Sequence, residues 1–378
     1  MKKIIRITTV PQSLKTLLKG QLRFMSQYYD IVAVSSDGDC FEDMLREQGV
    51  RGVKIPMTRK ITPLADLKAL FFLIRLFIKE KPDAVHTHTP KAGTLGMIAA
   101  WITRVPVRMH TVAGLPLLVA TGRKRLLLDI VEKVTYACAT TIYPNSYKMR
   151  DIIQKLGFTS GDKLKVIANG SSNGIDLTYF DRTEAVMKQA AAYREEECFT
   201  FCFVGRMVRD KGINELVSAF VRLHKQYPQI HLLLVGPFEK ELDPLSPETE
   251  KAIQEHSAIR FVGFQQDVRS FLVASDALVF PSYREGFPNV VLQAGAMGLP
   301  SIVTDINGCN EIILPNENGI IIPPKDEDAL YHAMENFLLH PEEVRRMTEN
   351  ARPLIASRYD QKIVWGALLK EYKRIMGE

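Results

Sequence analysis

Long apolar runs, paired cysteines and dinucleotide-type phosphate turns are all missing from this chain. The most apolar stretch, Ala69 to Ile78, is interrupted by Arg75 and is about half the ~20 residues that a membrane-spanning helix needs. No transmembrane segment is expected. The N-terminus begins Met-Lys-Lys, as a secretion signal does, but polar Thr8, Thr9, Gln12 and Lys15 follow before an apolar region can form. A cytoplasmic protein is therefore expected. The five cysteines, Cys40, Cys138, Cys198, Cys202 and Cys309, are odd in number and show no CxxC or CxxxH spacing, which argues against a disulfide framework and against zinc. Between Val10 and Gln21, after the first apolar run, Gly20 is the one glycine. A G-x-G-x-x-G turn is thus absent, against a dinucleotide-binding dehydrogenase.

What is present is the composition of a globular protein: 378 residues, 24% charged and 46% hydrophobic, with 23 Gly and 20 Pro. At roughly 100 to 200 residues per domain, this length predicts about two domains. The net charge of +6 is unevenly spread. Residues 1–168 carry 27 Lys and Arg against 13 Asp and Glu, a surplus of 14, and the remainder carries 22 against 30. A basic half points to a polyanion, either nucleic acid or an anionic membrane leaflet where each surface cation contributes about 1 kcal/mol; scattered surface lysines are the plain alternative. Aromatic residues interleaved with Arg and Lys for base stacking are absent from that half, which argues against nucleic acid.

Short apolar runs alternate with stretches of helical period, the rhythm of βαβ units. Strands are expected at Lys3–Thr8, Ile31–Ser35, Ala84–His88, Val107–Thr111, Thr141–Pro144 and Leu164–Ile167. A second series runs through Phe199–Val204, His231–Val235, Arg260–Val262, Ala277–Phe280, Ser301–Thr304 and Gly319–Ile322. Two Asn-Gly pairs between Ala168 and Phe180 mark a hinge. Two parallel-sheet units joined in this way are expected to face each other across a crevice at the C-terminal ends of their strands, where open α/β sheets bind ligands. Leu64 to Glu80 reads as a basic amphipathic helix with Leu67, Leu70, Phe71, Ile74, Phe77 and Ile78 on one face. It suits a core-packed crossover helix or a membrane surface. The final stretch, Asp360 to Met376, carries Ile363, Trp365, Leu368, Leu369 and Tyr372 for packing back on the first domain.

Two constellations carry chemistry. In Phe203-Val-Gly-Arg-Met-Val-Arg-Asp-Lys-Gly212, Gly205 lets a ligand approach the strand end, and Arg206 and Lys211 stand on one loop before a helix. Two cations beside free helix N–H groups make a diphosphate cradle; solvated charges pairing with Asp210 or Glu215 are the alternative. The second is Pro281-Ser-Tyr-Arg-Glu-Gly-Phe-Pro-Asn-Val-Val-Leu-Gln-Ala-Gly-Ala-Met-Gly-Leu-Pro300, again strand, loop and helix. Glu285 there either caps the helix or accepts hydrogen bonds from sugar hydroxyls. His86 and His88 share a strand face and fit either a satisfied core or, for His88, an acceptor or sugar contact. Asp37-Gly-Asp39 resembles a metal-binding DxD but falls in a βα turn, which it more simply shapes.

The pair FVGRMVRDKG and REGFPNVVLQAGAMGLPSIVTD resembles the retaining glycosyltransferases of family 4, with the GT-B fold, as found in bacterial capsule and surface-polysaccharide assembly. Pro82-Asp-Ala-Val-His-Thr-His88, Gly174-Ile-Asp176, Phe261-Val-Gly-Phe264 and Asn307-Gly-Cys-Asn-Glu-Ile-Ile313 extend the likeness over nearly the whole chain. The resemblance implies two Rossmann-like domains facing across a cleft: residues 1–170, with the helix at about 360–378 crossing back, for the acceptor, and residues 180–359 for a nucleotide-sugar donor, with a UDP-sugar as the expected one. Arg206 and Lys211 would hold the donor diphosphate in place of a metal, and no metal or other cofactor is expected. Glu285 would hold the transferred sugar. Gly286, Phe287, Pro288, Asn289 and Val290 would meet sugar hydroxyls and the distal phosphate, Val262 and Phe264 would lie against the base, and Gly20 would belong to a loop closing on the phosphates.

Two positions depart from the family pattern. A second Glu expected eight residues after the first is Gln293, whose neutral amide predicts weaker nucleotide affinity. The sugar-contacting His of many relatives aligns with Ala113; His110, three residues earlier, points to the other strand face and is carried with His88 as a candidate acceptor or sugar contact. The expected acceptor is a glycan or a polyprenyl-diphosphate-linked saccharide, met at the inner membrane surface. An epimerase or phosphorylase of the same fold is the runner-up, and a non-catalytic membrane-docking module is the rival of a different class.

Overall fold

The computed structural model describes residues 1–195, 197–239, 241 and 243–378, apart from the side chain of residue 119. These form two compact units, residues 1–174 with 361–378, and residues 175–360. The first holds β1 (Lys3–Ile7), β2 (Asp30–Ser35), β3 (Arg51–Lys54), β4 (Ala84–Thr87), β5 (Val107–Val112) and β6 (Thr141–Pro144). The second holds β7 (Phe199–Val204), β8 (Ile230–Val235), β9 (Ile259–Phe261), β10 (Ala277–Phe280), β11 (Ser301–Thr304) and β12 (Gly319–Ile322). Every ladder is parallel, as βαβ connections require, with registers such as Ile5↔Val32, Ile5↔Val85 and Phe201↔Ala277.

The sheet orders are β3-β2-β1-β4-β5-β6 and β12-β11-β10-β7-β8-β9. Both are doubly wound, and the winding reverses between β1 and β4 in one and between β7 and β10 in the other. Carbonyl ends of strands diverge at such a reversal and leave room for a ligand. Covered on both faces, the strands are almost wholly apolar: Ile4, Ile5 and Ile7, and Phe201, Cys202 and Phe203, are fully buried.

One strand is present that was not expected, and one expected strand is absent. β3 was not anticipated, because Arg-Gly-Val-Lys is a half-exposed edge strand with no apolar run to betray it. Leu164–Ile167 is not a strand; it makes one bridge, Ile142↔Leu164, after a turn at Gly161–Lys163.

The helix Pro63–Glu80 starts on a proline at its first position and stops at left-handed Lys81. It buries Ala69, Leu73, Leu76 and Phe77, each large side chain contributing about 1.5–3 kcal/mol, with Leu70, Phe72 and Ile74 packed alongside. Leu64, Leu67, Phe71 and Ile78 lie outside that stripe and are exposed. The helix thus carries more apolar side chains than the core uses. The last helix, Gln361–Met376, belongs to the first unit, where Leu368 and Tyr372 join Ile4, Met25 and Tyr29 in a core.

Candidate active site

The two motif loops leave the sheet of the second unit at its reversal, one after β7 and one after β10. Backbone bonds extend the β7–β8 pairing past the strand end, from Gly205 N to Val235 O at 2.9 Å and from Met207 N to Pro237 O at 2.8 Å. Met207 and Val208 are buried, which pins the loop between Arg206 and Lys211. A short 3-10 turn, Arg209–Lys211, then delivers the chain to the helix Ile213–His224 through Gly212. Gly212 is required: its φ is +71°, and an added Cβ would stand 2.2 Å from the carbonyl oxygen of Pro281 in the other loop.

Asp210 stitches the loops together. Its carbonyl accepts from Tyr283 N at 2.9 Å and its carboxylate takes Arg284 at 2.8 Å. From the other flank, Thr304 Oγ1 donates to Ser282 O at 2.5 Å, and Asn307 Nδ2 donates to the carbonyls of Glu285 and Gly286. The chain then enters the helix Asn289–Ala296 behind buried Pro288. First-turn N–H groups have no partner within their own helix, so this helix start offers donors where the loop ends.

The charged groups converge. Lys211 Nζ bonds Glu285 Oε1, with side-chain exposures of only 14% and 17%, and lies 5.7 Å from the Phe280 ring centroid. Ser282 Oγ donates to the same carboxylate oxygen at 3.1 Å. Arg206 Nη1 pairs with Glu239 Oε2 at 2.7 Å and is 41% exposed. Neither cation takes the partner that loop spacing offered: Asp210 holds Arg284, and Glu215 accepts from the Tyr283 hydroxyl at 2.5 Å. Burial, reinforced by Glu215, pushes the Tyr283 phenol well above its ordinary range, so it remains a donor. The arrangement pairs an ammonium with a carboxylate on the loop that leads into a helix start, which suits a ligand carrying both phosphate and hydroxyl groups.

The remaining positions on this unit divide between the end of the edge strand β9 and the loop and helix after β10. Val262 N continues the β8–β9 ladder to Leu234 O at 3.0 Å, and Gly263 O accepts from Gly236 N at 2.8 Å. Phe264 is 72% exposed. Phe287 packs on Tyr359 with ring centroids 5.5 Å apart, Val290 packs on the core, and Gln293 lies one turn inside the helix. Ser282, Tyr283, Glu239 and Asn307 are part of this site and were not singled out by the sequence reading. Ser282 and Asn307 sit inside quoted motifs, but only the folded loops reveal what they hold.

A curated relative, the capsular polysaccharide biosynthesis glycosyltransferase CapM of Staphylococcus aureus, is 32% identical over 379 aligned residues, covering 100% of this chain and 98% of the relative. The chain belongs to the glycosyltransferases. The family model "Glycosyl transferases group 1" matches residues 187–353, and "Glycosyl transferase 4-like domain" matches residues 25–170. The Escherichia coli UDP-Gal:alpha-D-GlcNAc-diphosphoundecaprenol alpha-1,3-galactosyltransferase is 29% identical, over 82% of this chain and 80% of its own. Among solved structures, Anabaena Alr3699/HepE in complex with UDP superposes with a TM-score of 0.82 at 17% identity, covering 98% of this chain and 100% of that one. The fold of this glycosyltransferase is therefore GT-B.

Three expected positions lie in the first unit, and two of them need correction. Gly20 is not in a phosphate loop: after β1 the chain runs into the helix Pro11–Leu17, and Gly20 caps the next helix with its α-carbon packed against Trp365, where a Cβ would come within 2.6 Å of the indole. His110 is not available to a sugar. Its ring lies beneath the helix Pro90–Ile102 against Gly93, with Nδ1 2.8 Å from Thr87 Oγ1, and burial lowers its pKa to about 4. His88 is buried at the end of β4, its ring tilted 38° to that of His86 with centroids 4.1 Å apart, and bonded to Arg6.

Among the described residues, no group of three or more His, Cys, Asp or Glu is placed to hold a metal ion. Asp37, in the DxD-like turn, pairs with Lys54 at 2.9 Å and accepts from Gly38 N.

Proposed function

We propose that this glycosyltransferase moves a sugar from a UDP-sugar to a saccharide borne on a polyprenyl diphosphate, with retention of anomeric configuration, in the assembly of a bacterial surface polysaccharide. The observation that carries the reading is the convergence of Lys211, Glu285 and the start of the helix Asn289–Ala296 at the β7/β10 reversal, with Arg206 on the same loop. The relatives support the chemistry: one is a UDP-Gal:alpha-D-GlcNAc-diphosphoundecaprenol galactosyltransferase, one is a capsular polysaccharide glycosyltransferase, and a structural neighbour is in complex with UDP.

In this reading the acceptor hydroxyl bonds to the anomeric carbon on the face the nucleotide leaves. The carbon–oxygen bond to the diphosphate breaks, and the hydroxyl proton passes to the departing phosphate oxygen. The protein supplies no nucleophile. Lys211 and Arg206 offset charge growing on the diphosphate, and Glu285, held by Ser282, positions the sugar. Gln293 accepts ribose hydroxyls through a neutral oxygen. Incubation with UDP-glucose, UDP-galactose and their N-acetylamino counterparts, followed by proton NMR, is expected to show slow release of UDP with the α-anomer appearing first. A first-formed β-anomer would contradict retention, and no release from any donor would contradict the donor assignment.

The acceptor's lipid calls for a membrane surface. No helix among the described residues is long and apolar enough to cross a membrane. The basic unit instead displays Leu64, Leu67, Phe71 and Ile78 beside exposed Lys68, Arg75 and Lys79. The helix Gly122–Cys138 adds Leu126, Leu127, Ile130 and Val134, with Arg123 and Lys124 at its start. Apolar side chains rimmed by cations suit an anionic leaflet. In flotation at low salt, the protein is expected to rise with vesicles containing phosphatidylglycerol and to stay behind with pure phosphatidylcholine, and Leu67→Glu with Phe71→Glu is expected to abolish the difference. Equal binding to both vesicles would contradict this docking.

A further inference from the structure

We propose that a notch at the carbonyl ends of β4 to β6 in the first sheet grips one hydroxyl of an acceptor pyranoside between His88 Nδ1–H and Asn145 Oδ1. The proposal rests on the acceptor reading above and adds Asn145 and Arg6 to it.

The argument begins with a proton. Arg6, in the middle of β1, is fully buried; its Nε donates to His88 Nε2 at 2.9 Å and its Nη2 to Gln21 Oε1 at 2.5 Å. A guanidinium has only donors. His88 Nε2 must therefore present its lone pair, and in a neutral ring the hydrogen is on Nδ1. The ring is neutral: burial first, then His86, Arg6 and His110, hold its pKa well below the usual histidine range. Arg6 thus fixes the tautomer of His88 without touching the ligand, which makes it a positioning residue.

The Nδ1–H so defined is buried and has no partner among the described residues. Asn145 is in the complementary state. Its Nδ2 donates to Ala113 O at 3.3 Å, which orients the amide, and its Oδ1 is buried and also without a partner. His88 and Asn145 line the same cavity, together with Gln21, Thr111, Ser171 and Ser172, and its volume of about 20 Å³ suits a single small polar group. One unused donor and one unused acceptor specify that group. A hydroxyl accepts from the first and donates to the second; a phosphate or carboxylate oxygen would meet Asn145 lone pair to lone pair, and an ammonium would meet Nδ1–H donor to donor.

Position supports the same occupant. His88 directly follows β4 and Asn145 directly follows β6, both at the carbonyl ends of their strands with β5 between them, and Arg6 reaches His88 from β1 across the reversal of this sheet. Sequence reading singled out His88 as an acceptor or sugar contact but not Asn145 or Arg6, because an arginine inside the apolar run Lys3–Thr8 gives no sign of which histidine it orients.

The test uses the full chain and the octyl pyranosides of glucose, galactose, N-acetylglucosamine and N-acetylgalactosamine as probes, with saturation-transfer NMR for binding and UDP calorimetry on the same samples. At least one glycoside is expected to bind, and Asn145→Ala and His88→Ala are each expected to weaken it about tenfold, the scale of one lost hydrogen bond. Histidine ¹⁵N spectra are expected to show His88 as the Nδ1–H tautomer at neutral pH. Asn145→Ala alone decides the matter if His88→Ala does not fold. The proposal is overturned if none of the four binds, if binding survives the substitutions, or if His88 is the Nε2–H tautomer. Glycoside binding without UDP binding would count against the donor reading and leave this one standing.

Discussion

Replacing Lys211 by alanine is expected to lower turnover by roughly 10²–10³-fold while the protein stays folded. The side chain is 14% exposed and pairs with Glu285, on the loop that leads into the helix Asn289–Ala296. A cation held there in advance needs no rearrangement when charge develops on a leaving diphosphate, which is why its loss is felt in the reaction more than in folding. Glu285 keeps Ser282 and its own 17% exposure in the variant, so no carboxylate is left sealed away without a partner. Arg206→Ala is expected to act in the same direction and less strongly, because that guanidinium is 41% exposed and shared with Glu239. Circular dichroism on the purified variants separates the two effects; turnover equal to wild type would contradict the role assigned to Lys211.

Gly212→Ala is expected to cost about 3 kcal/mol of stability and most of the activity. Its φ of +71° disfavours any side chain, and the new Cβ would meet the Pro281 carbonyl oxygen at 2.2 Å. Neither partner can swing aside, since both are backbone and the neighbouring Tyr283 N–Asp210 O bond holds the loops at that spacing. Relief comes only by parting the loops, which separates Lys211 from Glu285. Gly157→Ala is the matched control, with φ +63° and nothing within 4 Å of the added atom, so it should cost about 1 kcal/mol and leave activity alone. Urea unfolding of both variants measures the contrast. Equal costs would show that the two loops are not in backbone contact.

Much of the fold was legible because parallel strands covered on both faces are written as short, unbroken apolar runs, and both series of such runs are present. β3 was hidden for the converse reason: an edge strand is half wet and needs no apolar run. The helix Pro63–Glu80 was legible as a helix but not in its orientation, since its apolar residues exceed one stripe and only packing decides that Leu73 goes inside and Leu67 outside. In the second unit, glycines, cations and a carboxylate at strand ends pointed to a loop pair, and those loops do meet. What spacing could not reveal was who holds them, because Glu239 and Asn307 arrive from other connections. Gly20 and His110 were misplaced by local reasoning. Trp365 lies far along the chain from Gly20, and a helix covers His110.

Calorimetric titration of UDP into the wild-type protein and into Lys211→Ala tests the diphosphate cradle most directly. Saturable binding by the wild type, weakened at least about tenfold by the substitution, is the predicted result. Equal affinity in the two proteins, or no binding by either, would contradict it.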